Sequence, residues 1–127
     1  MIFGRMSLPL ETLMRTVTIE VAGVEVTKAR MKAAFRGDPQ GCFISFPSHE
    51  DLWATLTPTR WGILKAMTGA GPLGVRELAR KVGRDVKGVH TDVQALVVCG
   101  VIDKTPDGKL LFPYDVVRVD FMLRAAA

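Results

Sequence analysis

The polar side chains that could do chemistry in this sequence cluster between residues 84 and 94. Lys87, Thr91 and Gln94 stand at i, i+4 and i+7, so a helix would project them from one face. Lysine can donate to guanine, glutamine can pair with adenine through two hydrogen bonds, and threonine offers a hydroxyl and a methyl group. With His90 at the edge of this face and Arg84 before it, we predict a set that reads base edges of duplex DNA. Any surface helix also carries a polar outer face.

A second set of basic residues is expected to contact phosphates. Arg76, Arg80 and Lys81 belong to the preceding predicted helix, and Lys104 and Lys109 bracket a later turn. Free backbone N–H groups in the first turn of a helix favour an anionic phosphate, and such contacts position a protein without reading sequence.

The charge distribution agrees with a polyanion as partner. Lys and Arg number six against six Asp and Glu in residues 1–56, nine against five in 57–109, and two against two in 110–127. The whole net charge of +4 therefore arises in the middle segment. A localised basic surface releases counterions from nucleic acid, although an ordinary solvated face could carry the same excess.

Catalytic chemistry is not readable in the sequence. His49 and His90 have no second ligand at metal spacing, no nucleophile, base and orienting acid can be assembled, and no glycine-rich phosphate loop is present. Cys42 and Cys99 are expected to be reduced, partly buried thiols. We therefore expect no enzyme, no cofactor and no metal, and we interpret His90 as a surface or DNA-contacting residue.

The N-terminal residues suggest no targeting signal. They lack the basic start and cleavage site of a signal peptide, and no apolar run is long enough to cross a membrane, so a cytoplasmic protein is expected. Because Met14 precedes the first predicted strand, residues 1–13 are interpreted as a loose arm or a translation-start artefact.

Residues 1–47 are predicted to form an arm followed by a strand-helix-strand extension. Thr16–Val21 alternates between apolar and polar residues, as a half-buried strand does. Thr27–Arg36 reads as a short basic helix, and Cys42–Phe46 as a second strand after a glycine- and proline-containing loop.

Two amphipathic helices follow in residues 48–127, after helix starts at Ser48 and at Thr57-Pro58. The first is short and ends at Gly83; the second is capped by Asp85 and runs to about Cys99. The predicted inward residues are Val75, Leu78, Ala79 and Val82 in the first helix, and Val86, Val89, Val93, Leu96 and Val97 in the second. Two such helices joined by a turn of about four residues match a helix-turn-helix.

A hairpin is predicted directly after the second helix. Its strands are Val101–Thr105 and Lys109–Pro113, joined by a type I turn with a glycine bulge at Gly108, and Val116–Leu123 forms one more strand. The predicted fold class is therefore α+β: a winged helix-turn-helix over residues 57–119 with the N-terminal extension, which is expected to dimerise.

Several sequence blocks resemble a known prokaryotic family. They are Leu52 to Arg60, Gly71-Pro72-Leu73, Arg76 to Ala79, Gly83 to Lys87 with Val89-His90 and Asp92-Val93, Gly108, and Pro113-Tyr114-Asp115. This family of winged-helix transcriptional regulators is similar to the MarR-type proteins, and the resemblance covers Ser45 to about Phe121. It implies DNA binding and gene regulation. Because some members are encoded beside small toxin genes, it also implies an antitoxin role as an alternative.

Two functions are therefore carried forward. The first is a dimeric, sequence-specific regulator that represses by occupying a promoter, with the strands Thr16–Val21 and Val116–Leu123 as a dimer contact. The second is a protein-interaction module whose N-terminal portion grips a small toxin protein. A DNA-binding regulator should bind duplex DNA more weakly as the salt concentration rises.

Overall fold

The computed structural model describes residues 15–37, 41–123 and 125, so the predicted N-terminal arm lies outside the described residues. Five helices and five strands make a small α+β fold within them. In chain order they are β1 (Thr16–Val21), α1 (Val24–Phe35), β2 (Cys42–Phe46), α2 (His49–Thr55), α3 (Pro58–Met67), α4 (Val75–Val82), α5 (Val86–Val98), β3 (Asp103–Lys104), β4 (Leu110–Leu111) and β5 (Val116–Asp120).

The larger sheet has three parallel strands in the order β2-β1-β5. Helix α1 provides the crossover between β1 and β2, which confirms the predicted strand-helix-strand arrangement. In the register, Ile19 lies between Ile44 and Val119. The strand Thr16–Val21, expected to take part in a dimer contact, is the central strand of the sheet, so it has no free edge for pairing with a second chain.

The hydrophobic core lies between one face of this sheet and the helices α2 to α5. Val17 and Ile19 point from β1 into it and are fully buried, as are Leu52 of α2 and Ile63 of α3. The alternation of apolar and polar residues in β1 therefore predicted its core face correctly. Burial of this apolar surface is the main favourable term that holds the helices on the sheet.

The helix starts follow the local sequence signals. The Ser48 hydroxyl accepts a hydrogen bond from the Asp51 backbone N–H at 3.1 Å, and the Thr57 hydroxyl accepts one from Arg60 N–H at 3.3 Å. Pro58 occupies the first turn of α3, where its missing N–H costs no helical hydrogen bond. Both predicted caps are confirmed.

Several predicted boundaries need correction. The hairpin strands β3 and β4 have two residues each rather than the predicted five, because residues 101, 102 and 105 and residues 109, 112 and 113 lie outside the ladder. Val86 is exposed rather than inward, since it stands in the first turn of α5, beyond the reach of the core. Cys42 and Cys99 are both exposed rather than partly buried.

A membrane-crossing segment would need a long apolar helix. None of the helices in the described part of the chain has the length and apolar character required.

Candidate nucleic-acid interface

Helices α4 and α5 are joined by a short, well-defined turn. Gly83 ends α4 in the left-handed region with a φ of 71°, a conformation that favours glycine. The Arg84 backbone N–H then bonds to the Ala79 carbonyl oxygen at 3.1 Å. Asp85 starts α5 by accepting a hydrogen bond of 2.8 Å from the Gly88 backbone N–H. Both ends of the turn were predicted from sequence and are confirmed.

Asp92 is the residue at which three elements of this region meet. Its Oδ2 lies 2.9 Å from Nη1 of Arg84, in the α4–α5 turn. Its Oδ1 accepts a hydrogen bond of 3.1 Å from Nε of Arg60, at the start of α3. Arg60 also donates to the Thr55 carbonyl oxygen, at the end of α2, at 3.1 Å. One carboxylate on α5 thus fixes that helix relative to α3 and to the turn.

The contact between Asp92 and Arg84 is a charge pair more than an aligned hydrogen bond. Nη1 of Arg84 is buried and has no hydrogen-bond partner of good geometry, although the carboxylate lies within 2.9 Å. Burial by itself would raise the pKa of Asp92. The Arg60 and Arg84 guanidinium groups outweigh that effect and hold the pKa of Asp92 below its ordinary value.

The outer face of α5 carries the predicted base-reading side chains. Lys87, His90 and Thr91 are exposed, and Lys87 and Thr91 lie opposite the buried Val89 and Val93. The Thr91 hydroxyl donates back to the Lys87 carbonyl oxygen at 3.1 Å, which leaves its oxygen lone pairs and methyl group free to contact a ligand.

Arg84 is placed differently from the exposed members of the predicted set. Its guanidinium is half-buried and contacts Asp92, whereas the sequence prediction assigned it to base reading. In the described structure Arg84 orients α5, and only part of its side chain remains accessible.

The hairpin β3–β4 follows α5 and has a hydrogen-bonded turn. Gly108 takes a φ of 83° and its N–H bonds to the Thr105 carbonyl oxygen at 2.9 Å, as the predicted glycine bulge requires. The Thr105 hydroxyl donates to the Asp107 carboxylate and accepts from the Lys109 N–H at 3.0 Å. The hydrogen bond from Thr105 lowers the pKa of Asp107.

The hairpin is attached by backbone hydrogen bonds to the segment just before α4. Leu73 and Leu110 form an antiparallel bridge, with N···O distances of 2.9 and 2.8 Å in the two directions. The hairpin is therefore held at a defined position relative to both α4 and α5.

A cleft separates the hairpin from α5. Its volume is about 150 Å³, and its polar lining consists of His90 and Gln94 from α5 and Lys104 from β3. Gln94 is half-buried by this arrangement, less exposed than the prediction of an outward side chain implied. The structure thus brings together predicted residues from the helix and from the hairpin.

The basic residues of α4 divide between two surfaces. Arg76 and Arg80 are exposed and lie opposite the buried Leu78. Lys81 is also exposed, but it lines a groove between α3 and α4 together with Lys65, away from the cleft. Lys104 and Lys109 are exposed on the hairpin, as predicted.

Sequence reasoning missed a buried polar cluster formed by β1, α1 and β2. The alternation in β1 predicts a solvent-facing side for its polar residues, yet Glu20 is buried and forms an ion pair with Arg30 of α1. The Ser45 hydroxyl donates to Glu20 at 2.8 Å, and the Arg30 guanidinium lies 3.7 Å from the ring centroid of Phe43. The hydrogen bond from Arg30 lowers the pKa of Glu20 despite burial.

The elements described above define a small α+β protein in which the exposed polar face of α5 lies beside a hairpin that carries two lysines and two aspartates. A family model described as HVO_A0114 matches residues 55–119, from the end of α2 into β5. Since this match spans just over half of the 127 residues, the chain belongs to the HVO_A0114 family. Among the curated proteins and among the solved structures, no significant match to the chain was found.

Proposed function

We propose that the chain is a winged helix-turn-helix protein that binds duplex DNA and regulates transcription. In this proposal α4 and α5 are the helix-turn-helix, α5 enters the major groove, and the hairpin β3–β4 is the wing that contacts the flanking backbone. The fold assignment rests on the order of the elements: a short helix, a tight turn, a longer helix and then a hairpin. The same proposal places the chain near the MarR-type regulators that the sequence resembles.

The observation that carries the proposal is the outer face of α5. Lys87 and Thr91 project from it into solvent, while the opposite face is packed into the core. The side chains on this face can both donate and accept hydrogen bonds at base edges.

The positions of the basic residues support the same orientation. Arg76 and Arg80 of α4 and Lys104 and Lys109 of the hairpin are all exposed, and in this orientation they would flank α5. Cations that flank a groove-reading helix would neutralise phosphates on both sides of the groove. Lys81 lies in a separate groove and has a smaller part in this proposal.

Selection of bound sequences from a random duplex library tests the proposal. The expected result is an enriched short motif, with affinity that falls steeply as salt rises, because phosphate neutralisation releases counterions. No enrichment, together with no binding to duplex DNA at low salt, would contradict the proposal.

A protein-docking role, as the antitoxin of a toxin-antitoxin pair, is a second candidate function. Exposed apolar side chains in the N-terminal part of the chain favour it: Met31 and Phe35 of α1 are 55% and 87% exposed. Docking through these side chains should be nearly independent of salt, whereas DNA binding should not. Co-purification with the product of a neighbouring gene, by a protein that ignores duplex DNA, would favour this candidate.

A further inference from the structure

The side of α5 next to its exposed face carries a glycine in the first turn. Gly88 and Asp92 stand at i and i+4, so they lie on one side of the helix. This side separates the exposed Thr91 from the buried Val89. Arg84, in the turn before α5, reaches along it to Asp92. Its guanidinium passes close to Gly88, where an added Cβ would stand 3.2 Å from Nη2 of Arg84.

Neither the backbone nor the stability of the helix accounts for Gly88. It lies inside α5 without a positive φ, and glycine within a helix is less stable than alanine. An added Cβ would meet Arg84 more closely than ordinary van der Waals contact allows, and would also stand 3.0 Å from Oδ1 of the capping residue Asp85. The absence of a side chain at residue 88 therefore gives the Arg84 guanidinium the space that it occupies.

Asp92 engages one end of the Arg84 guanidinium and leaves the rest available. Nη1 lies 2.9 Å from Oδ2 of Asp92 and is buried. The Arg84 side chain is nevertheless 30% exposed, so the exposed part belongs to its other atoms. A guanidinium has two edges with parallel N–H groups, and the edge formed by Nε and Nη2 does not include Nη1. Arg84 thus keeps one pair of parallel donors for a ligand with two adjacent acceptors.

We infer that this pair of donors reads a guanine in the major groove, and that Gly88 and Asp92 position it. The inference rests on the proposed function, because it assigns one base to one residue of the same site. The N7 and O6 atoms of guanine are two adjacent acceptors, which arginine binds through two parallel hydrogen bonds. Arg84 stands just before α5, at the end where recognition helices commonly meet bases.

A phosphate group is the rival ligand for the same donors, and the charges disfavour it. The charge of Arg84 is partly compensated by the Asp92 carboxylate, which also contacts Arg60. This compensation weakens the attraction of Arg84 for a phosphate but leaves the direction of its N–H groups unchanged. An arginine that is already held in place also loses less conformational entropy on binding. Such a guanidinium discriminates by direction, as the reading of a base requires.

Two selections from a random duplex library are the first test, one with the parent chain and one with Arg84→Lys. Lysine keeps the positive charge but has no parallel donors. The two enriched motifs should agree at every position except one, where the guanine selected by the parent chain is lost. Arg118→Lys, on exposed β5, is the matched control and should return the parent motif.

An exchange of one atom in the DNA tests the contact itself. Replacement of the selected guanine by 7-deazaguanine removes the N7 acceptor and leaves O6 in place. The parent chain should bind the substituted duplex roughly tenfold more weakly than the selected duplex. Arg84→Lys should bind the two duplexes alike.

Gly88→Ala tests the space beside the guanidinium. The added methyl group should displace Arg84 and lower affinity for the selected duplex roughly tenfold, with little change in binding to a duplex of scrambled sequence. Gly62→Ala in α3 is the matched control, because a Cβ there meets no atom within 4 Å, and it should leave both affinities unchanged. In a chain that carries Arg84→Lys, Gly88→Ala should lower discrimination no further. A merely structural role for Gly88 would not produce that dependence.

Three results would overturn the inference and leave the proposed function intact. One is a parent motif without a guanine, or with a guanine that persists in Arg84→Lys. Another is an equal loss of affinity for selected and scrambled duplexes in Arg84→Ala, with a salt slope reduced by about one unit, because Arg84 would then contact a phosphate. The third is a Gly88→Ala chain that binds the selected duplex as tightly as the parent chain. A parent chain that enriches no motif would contradict the proposed function, and the inference with it.

Discussion

Asp92 on α5 contacts Arg84, which lies eight residues earlier in the turn before that helix, at 2.9 Å. The same carboxylate holds Arg60 from α3 at 3.1 Å. The proposed reading of bases depends on how α5 is oriented. These two contacts are therefore expected to affect both the stability of the fold and the binding of DNA. Both partners of Asp92 are arginines, one in the turn before α5 and one at the start of α3.

Replacement of Asp92 by asparagine should destabilise the protein by about 1–3 kcal/mol, since two half-buried arginines would lose their counter-charge. The control is Asp103→Asn, on an exposed strand of the hairpin, which should change the free energy of unfolding very little. Chemical denaturation at neutral pH measures both. Equal stability of the two variants would mean that Asp92 does not hold α5.

The contribution of Asp92 should also depend on pH. Its pKa in the folded protein lies below the ordinary value of 3.8, so the stabilisation is complete above that value and is lost as pH falls through the lowered pKa. The stability difference between the parent and Asp92→Asn should therefore be constant near neutral pH and shrink below about pH 4. A difference that shrinks already between pH 7 and pH 5 would contradict this assignment.

Two glycine substitutions should act in opposite directions. Gly83 has a φ of 71°, so Gly83→Ala should cost about 1–2 kcal/mol for the left-handed conformation. Gly62 stands inside α3, where a methyl group would meet no atom within 4 Å, and Gly62→Ala should stabilise by about 0.5–1 kcal/mol. Thermal unfolding of the two variants gives the comparison. If both substitutions raised the melting temperature, Gly83 would not have the left-handed conformation described above.

The inward face of α5 gives a test of the core. Val93 is 1% exposed, and Val93→Asp would bury an unpaired carboxylate at a cost of several kcal/mol, a large part of a total of about 5–15. Val98→Asp, on the exposed side of the same helix, is the matched control and should remain folded. A folded Val93→Asp with an unchanged melting temperature would mean that α5 is rotated, and the contact face with it.

The phosphate contacts should be visible in the salt dependence of DNA binding. Arg76→Ala and Lys109→Ala should each weaken binding to selected and random duplexes by similar factors, and should reduce the slope of log affinity against log salt by about one unit. Arg118→Ala, on exposed β5, is the control and should leave the slope unchanged. Unchanged slopes for Arg76→Ala and Lys109→Ala would show that these two residues do not contact phosphates.

The local parts of the fold could be predicted from sequence because their causes are local. The caps at Thr57 and Asp85 and the turns at Gly83 and Gly108 each depend on residues within a few positions. The pairing of β1 with β5 could not be predicted from sequence. It joins Thr16 to a residue one hundred positions away, and no short-range pattern encodes that pairing.

In the candidate site, too, local features could be predicted from the sequence and long-range contacts could not. Helical spacing placed Lys87 and Thr91 correctly on the outer face of α5. It could not show that the hairpin covers part of Gln94, nor that Asp92 draws Arg84 inward together with Arg60, which is 32 residues distant. The burial of Gln94 and the position of Arg84 depend on tertiary packing, which cannot be predicted from the periodicity within one helix.

The central claim is that the outer face of α5 reads DNA sequence. Its most direct test is a pair of titrations, with the selected duplex and with a scrambled one at a single salt concentration, for Lys87→Ala, Thr91→Ala and Gln94→Ala. Lys87, exposed near the start of α5, should matter most, and half-buried Gln94 least. A good base contact contributes about 1–3 kcal/mol of discrimination, so Lys87→Ala should lower affinity for the selected duplex roughly ten- to a hundredfold and hardly change binding to the scrambled one. Equal losses on both duplexes in all three variants would contradict the claim, because α5 would then position the protein without reading sequence.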